Sequence, residues 1–454
     1  MAKRPTRAQE RERLTKAACA VDMPLYSDVI VIGGGAAGLV AAITAAEAGA
    51  SVVVLERDLT CGRPILATGN GRCNFANIKL DPKRYNCPDF VSAVCGPHWL
   101  DDVLGFFRES GLRWSLEDDR LYPLSRQASS VRNVLLVRAE RAGVVLAPAR
   151  EVADVSFIDE AANDPAHAWM GDPGNRAHYD PRTSTVKPAG LAEVAHADPT
   201  GSGALLMPGS RAVIIASGGE PFPSLGELGL ITAPRTPVLC PLACEDSPLA
   251  ALDGRRSIAC ANLTKAGAFF PSWHERGEVL FRSYGISGIL TFDLSRRAEA
   301  GDLVELDLAP DVTPSELRQL VDPFAHGSFE PGCLDGVLDP EIARLLERLA
   351  RERWHIDWPE RAVPASDSEA LLSLVKALPL IVVGPTETAH AQVTRGGLLT
   401  SQFSTQTLAA EGHPWLFACG EALDVDADCG GFNLAWAWKS GMVAGAAAAR
   451  MAWA

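Results

Sequence analysis

The chain has 454 residues, a formal charge of −14 and eleven cysteines with no CxxC pair. Its length allows two or three domains with ample cores, and its acidic balance argues against nucleic acid or an anionic membrane as the main partner. The cysteine pattern reads as reduced thiols in a cytoplasmic protein, not as a disulfide framework.

Residues 1–24 are polar and basic, with Glu10, Glu12 and Asp22 among the lysines and arginines. They predict a mobile extension in preference to a transit peptide, and no secretory signal is expected. The apolar run from Val29 to Ile32 then reads as a buried strand feeding Gly33-x-Gly35-x-x-Gly38 and a small-residue helix over 39–48. Residues 29–46 are long enough to span a membrane, but the three glycines and Glu47 break them into strand, turn and helix. Gly33 permits the tight turn, Gly35 lets the backbone approach a pyrophosphate, and Gly38 lets helix and sheet pack closely. A second strand over 51–55 ends at Glu56, 18 residues past Gly38, where an acid can take a ribose hydroxyl pair.

Beyond Glu56, residues 61–77 are turn-rich and hold Arg63 and Arg72, so they read as a loop outside the core. Helical patterns lie at 99–110 and 128–141, and a strand at 143–146 returns to the nucleotide sheet. Residues 161–203 lack a clear period and predict a long surface excursion. Residues 211–219 form a buried-type strand that stops at small residues, as if against a cofactor. Short alternating segments at 257–263, 278–281, 288–294 and 302–308 predict a small antiparallel sheet or barrel. Helices follow at 314–320, 340–352 and 368–377. The fold class is therefore α/β: a Rossmann-like dinucleotide domain over 25–235 and 385–454, interrupted by an inserted β-rich and helical substrate domain over 236–384.

The fingerprint alone does not separate FAD from NAD. Residues 414–441 add a second strand that runs into Gly420-Glu421, and a Gly430-Gly431 turn that opens an apolar helix. This unit aims at the same nucleotide. Glu421 can accept a ribityl hydroxyl, and the helix start over Gly431, Phe432, Asn433 and Leu434 can face the electron-rich edge of a reduced flavin.

Six motifs follow one another in order: Gly33 to Gly38, Gly69-Asn-Gly-Arg-Cys-Asn74, Ala216-Ser-Gly-Gly219, Gly285-Ile-Ser-Gly288, Thr394-Arg-Gly-Gly397, and Gly420-Glu-Ala-Leu-Asp-Val-Asp426 through Gly430-Gly-Phe-Asn-Leu434. With these, residues 25–454 apart from 161–203 resemble the flavoprotein family called aminoacetone-oxidase-like or 3-dehydro-bile-acid Δ4,6-reductase-like. The resemblance implies a glutathione-reductase-type FAD domain with an inserted domain, and an extended FAD whose ring lies near the insert. It implies that Gly33, Gly35, Ala37 and Gly38 cradle the pyrophosphate and that Glu56 holds the adenosine ribose. Arg63, Gly71, Arg72, Cys73 and Asn74 would line the path to the ring, and Gly420, Glu421 and Gly430 to Leu434 would hold the ribityl chain and flavin. Ala36, Arg57, Val152, Ala216 and Gly218 complete the expected cofactor-binding set.

Three departures stand out. Relatives usually have Thr-His before the Gly-Ile-Ser-Gly turn and Pro after it, where this chain has Arg282-Ser283-Tyr284 and Ile289. The longer loop that usually follows the Gly-Gly strand end is cut to 220–229, which bears on FAD affinity. The usual Thr before the last Gly-Gly is Cys429. The first and third lie where a substrate would meet the flavin.

Reducing a conjugated ketone takes hydride from flavin N5 to the β-carbon, a donor to the oxygen and a proton for the α-carbon. Arg72, Asn74 and Tyr284, on turns expected to reach the ring, are the catalytic candidates. Arg72 fits equally a role in neutralising FAD phosphate, and Tyr284 one in packing. Cys240 and Cys244 have no partnering pair at ligand spacing, so no metal is expected. No second GxGxxG follows a strand, so NAD(P)H, if it is the donor, visits as a diffusible reductant. The reading is an FAD-dependent oxidoreductase that reduces an unsaturated ketone, steroid-like or bile-acid-like. The alternatives are a flavin-dependent oxidase of a small amine such as aminoacetone, and an FAD-holding tRNA-associated module. The expected partner is a small-molecule substrate, with no nucleic acid and no membrane; the oligomeric state stays open.

Overall fold

The computed structural model describes residues 6–158, 191–200, 202, 204–219, 223–245, 247–356 and 363–453. It divides into two compact units, residues 1–236 with 394–454, and residues 237–393.

In the first unit the segment expected as a mobile extension contains a helix, α1 (Arg7–Cys19). Its start is fixed by a capping box in which Thr6 and Gln9 satisfy each other's backbone N–H groups. The core strand β1 (Tyr26–Ile32) carries apolar residues on both faces because both faces are covered; Val29, Ile30 and Val31 are fully buried. Through the glycine turn it enters α2 (Ala36–Glu47), and β2 (Val52–Leu55) follows. After α3 (Arg63–Ala67), the short strand β3 (Ala76–Asn77) pairs with the hairpin of β4 (Trp114–Glu117) and β5 (Arg120–Pro123). Helices α4 (Pro88–Cys95), α5 (Trp99–Glu109) and α6 (Ala128–Arg141) precede β6 (Val145–Ala147).

Next come β7 (Val152–Ile158), β8 (Leu191–Ala197), β9 (Leu205–Leu206), β10 (Gly209–Ile215) and β11 (Thr232–Val238). The surface excursion expected over 161–203 is corrected at its end. Leu191–Ala197 is a strand that pairs with β7 and β10, and Leu191, Ala192 and Val194 are buried. The Ala, His and Glu residues of this stretch hide the alternation that would have marked it. Residues 159–190 lie outside the described set.

The second unit is built on a closed antiparallel barrel, in the order β12 (Leu242–Cys244), β15 (Gly285–Ser287), β14 (Trp273–Arg282), β13 (Arg256–Thr264), β16 (Leu303–Asp307), β17 (Leu378–Pro385). The strand expected over 288–294 is instead helix α7 (Ile289–Ser295). Gly288 sits at φ 97°, where a β-carbon would stand 2.7 Å from the Glu278 carbonyl oxygen, so the chain leaves the sheet there. A short apolar run does not by itself distinguish a buried strand from a buried helix. Helices α8 (Pro314–Val321), α9 (Pro340–Arg351) and α10 (Asp367–Lys376) supply much of this unit's core.

The chain returns through β18 (Val393–Leu398), β19 (Ala409–Ala410) and β20 (His413–Ala418) to α11 (Phe432–Trp453). The main sheet runs β19-β20-β10-β1-β2-β6, with β8 joining β7 and β9 to β10. Strands β20, β10, β1, β2 and β6 are mutually parallel, as a Rossmann-type α/β fold requires. Small residues let α11 lie against α2: β-carbons at Gly441 and Gly445 would stand 2.6 Å and 2.3 Å from the Ala37 and Ala41 carbonyl oxygens. Among the described residues no helix is long and apolar enough to cross a membrane.

Candidate functional site

The parallel strands deliver their C-terminal ends, and the glycine turn after β1, to one edge of the first unit. Gly33 (φ 102°) passes so close to the end of β10 that a β-carbon would stand 2.4 Å from the Ala216 carbonyl oxygen. At Gly38 a β-carbon would stand 1.9 Å from the Gly33 carbonyl oxygen, so the turn and α2 close on each other only with glycine at both places. Gly35 differs. It is the N-cap of α2, has no side-chain cap, and has nothing within 4 Å of where a β-carbon would be. The start of α2 is therefore uncapped by a side chain and has open space at Gly35, the arrangement that receives a phosphate. Ala37 is buried beside Gly420, and Gly218 (φ 67°), three residues past the end of β10, is in a similarly open position.

Glu56 ends β2 almost fully buried, and its carboxylate accepts from Gly34 N (2.7 Å) and Asp58 N (2.8 Å). Burial pushes its pKa up, against the pull of those two N–H groups. The carboxylate thus shapes the glycine turn, and its remaining lone pairs are what a hydroxyl pair could use. Arg57 is exposed, and Arg63 points outward to pair with Asp58 at 2.8 Å. Val152 begins β7 in register with His196.

The loop after α3 winds through left-handed backbone at Gly69, Asn70, Gly71 and Cys73. Cys73 is fully buried, and burial lifts its thiol to about 12, so it is a packing thiol and no thiolate nucleophile. Asn74 carries a buried Oδ1 that has no hydrogen-bond partner. The Gly430-Gly431 turn, at φ 125° and 95°, packs against it: a β-carbon at Gly431 would stand 2.8 Å from that oxygen. Asn77 Nδ2 donates to the Gly430 carbonyl (3.0 Å), and Tyr85 Oη to the Phe432 carbonyl (2.6 Å). Asn433 closes the turn through both of its amide atoms on Ala427, and Leu434 is half-buried. The two motif clusters, distant in sequence, form one wall. Arg72 points to Glu117 (2.9 Å) with its guanidinium 4.5 Å over the Tyr122 ring.

Glu421 accepts the Thr394 N–H at 2.5 Å; burial raises its pKa and the Thr394 hydrogen bonds hold it partly down. Behind it, Asp426 is fully buried on Arg395, Asp428 pairs with Arg84 at 3.2 Å, and Asp424 accepts from Gly396 N at 3.0 Å. These carboxylates tie the cofactor-side turn to the segments 84–86 and 394–397. The motifs at 394–397 and 420–426 were the sequence signal for this, whereas Arg84 had none.

Tyr284 belongs to the second unit. It is half-buried, and burial together with the Glu387 carboxylate it donates to pushes its pKa up to about 12. The Arg282 guanidinium lies 5.6 Å over its ring.

Residues 27–166 and 207–447 match the model described as HI0933-like protein Rossmann domain. The chain belongs to this family. It is an FAD-dependent oxidoreductase. The chain is 30% identical to the 3-dehydro-bile acid delta(4,6)-reductase of Clostridium scindens, over 92% of this chain and 98% of that one. It is 25% identical to the ribosomal RNA dihydrouridine synthase of Escherichia coli, over 91% of this chain and 96% of that one. Among solved structures, the open conformation of a flavocytochrome c3 fumarate reductase is 13% identical, with a TM-score of 0.47, covering 100% of this chain and 85% of that chain.

The residues present fit the cofactor of the HI0933-like family. An open, uncapped helix start at Gly35 suits the pyrophosphate, and the partnerless Asn74 Oδ1 beside the Gly431 turn suits a polar ring edge.

Proposed function

We propose that this chain reduces a carbon–carbon double bond conjugated to a carbonyl in a small, steroid-like or bile-acid-like molecule, with NAD(P)H as a diffusible reductant. The likeness to the bile-acid reductase carries this reading. The rRNA synthase's name describes related chemistry, because making dihydrouridine saturates a double bond conjugated to a uracil carbonyl.

FAD, when bound, supplies the two-electron transfer to the β-carbon. The chain's own residues do the rest. The glycine turn and the start of α11 bind and orient through backbone N–H groups. Asn74 orients the ring side of the site, and Tyr284, kept protonated, is the candidate for proton supply. Arg72 adds positive charge beside Asn74.

The test is the visible spectrum of the purified protein, followed anaerobically. Flavin bands should bleach with NADH or NADPH and return when a conjugated enone is added. Full flavin loading without reoxidation by any enone would remove the substrate claim. A second reading, reduction of uracil within RNA, is favoured by the synthase relative and opposed by the charge of −14. Tritium-free uridine reduction in rRNA, assayed by mass, separates the two.

A further inference from the structure

One charged cluster of the first unit is left unexplained by the cradle. On the β4–β5 hairpin, Tyr122 is 8% exposed, and the guanidinium carbons of Arg72 and Arg126 lie 4.5 Å and 5.1 Å from its ring centroid. Both arginines converge on a single carboxylate. Arg72 Nη2 is 2.9 Å and 3.2 Å from the two oxygens of Glu117, and Arg126 Nη1 also donates to it. Two guanidinium charges thus share one carboxylate charge. In the neighbouring turn Lys79 takes up Asp119 at 2.7 Å, and Arg120 stands opposite Glu117 in the β4–β5 register, so no further carboxylate is drawn to the two guanidinium groups by these pairs. The three clamp side chains are 37–42% exposed, so the uncompensated charge is open to solvent.

The clamp is joined to the cofactor wall. The Tyr122 ring lies 3.9 Å from where a β-carbon on Gly69 would be, and Arg72 is two residues from Asn74. Left-handed backbone at the non-glycine residues Asn70, Cys73, Asp118, Asp119 and Arg126 gathers in this loop and hairpin. Such conformations cost energy and persist where the surroundings hold them, commonly at ligand-binding sites.

We infer that Arg72 and Arg126 anchor a carboxylate on the substrate, which makes the reducible molecule an anionic conjugated ketone; this rests on the reading under Proposed function. Glu117 already displays how the pair takes a carboxylate, and planar guanidinium forks suit a second one. A single surplus charge matches a small monoanion. RNA would require an extended basic stripe.

The test uses the FAD-loaded protein and two probes that differ by one charge and one methyl group: a 3-oxo-Δ4 steroid bearing a side-chain carboxylate, and its methyl ester. Binding is read first, from the perturbed spectrum of the oxidised flavin, and turnover second. The acid should bind about tenfold more tightly than the ester at low salt, since hydrogen bonds to charged groups are the stronger kind. Arg126→Gln should erase that advantage, and Arg126→Lys should keep part of it. Equal binding of acid and ester, or an advantage that survives Arg126→Gln, overturns the anchor. Tight binding of the acid without turnover of either probe upholds the anchor and overturns the reductase reading. Binding of neither probe overturns both.

Discussion

Gly431 and Asn74 are in contact: a β-carbon on Gly431 would stand 2.8 Å from Asn74 Oδ1 and 2.7 Å from the Ala76 carbonyl group. With φ at 95°, the residue also holds backbone that side chains rarely adopt. Gly431→Ala should therefore cost about 2 kcal/mol of stability and weaken FAD binding at least about tenfold. Gly226→Ala, where nothing lies within 4 Å, is the control. Flavin fluorescence titration and thermal melting check both numbers, and equal behaviour of the two variants would refute the contact's importance.

Arg395 should matter for stability more than its half-exposed position suggests. Its Nε and Nη2 each lie 2.9 Å from an oxygen of fully buried Asp426. Removing the cation leaves a carboxylate charge in a dry site, a loss typically of about 3–5 kcal/mol. Arg395→Met should lower the urea midpoint sharply, and adding Asp426→Asn should restore part of it. A double variant no better than the single one would show that the charge is not the cause.

Glu421 gives a prediction with a definite pH sign. Burial raises its folded pKa above the ordinary carboxyl value. The native state then holds the proton more tightly than the unfolded chain. The stability from that proton is fully present below about pH 4.3 and is lost as pH rises through the folded value. Glu421→Gln keeps an acceptor for the Thr394 N–H and removes the buried charge. It should raise the melting temperature of the cofactor-free protein at pH 7, with the gain vanishing near pH 4. FAD affinity should move the other way, as expected where a site residue is kept at a cost in stability. A Glu421→Gln protein that melts earlier at pH 7 would contradict the sign.

The Rossmann-type fold was readable from local patterns because each part has a local cause. Gly33, Gly35 and Gly38 mark a turn, and the apolar β1 and β2 runs mark buried parallel strands. The barrel was readable as an alternative, sheet or barrel, because closure depends on pairings such as β12 with β17 that no local pattern encodes. Residues 288–294 misled because an apolar run has no preferred period over so few residues. The finer site was less legible. Thr394 under Glu421, and Glu117 between two arginines, depend on side chains meeting across loops distant in sequence. Asn74 was identified by its motif, but its partnerless oxygen against Gly431 belongs to packing.

Tyr284 provides the test of proton supply. Its pKa of about 12, set by burial and then by the Glu387 carboxylate, keeps the hydroxyl protonated at every ordinary assay pH. It should therefore add no basic limb to the rate profile below about pH 10. Tyr284→Phe should lower kcat for enone reduction about a hundredfold, within the usual range for losing a positioned acid. Bleaching by NAD(P)H, which needs no α-carbon proton, should keep its wild-type rate. In heavy water the wild type should show a solvent isotope effect on reoxidation by enone that the variant's reductive step lacks. Equal slowing of both half-reactions would instead make Tyr284 a structural residue of the barrel, since loss of an acid acts on one step and loss of packing acts on both.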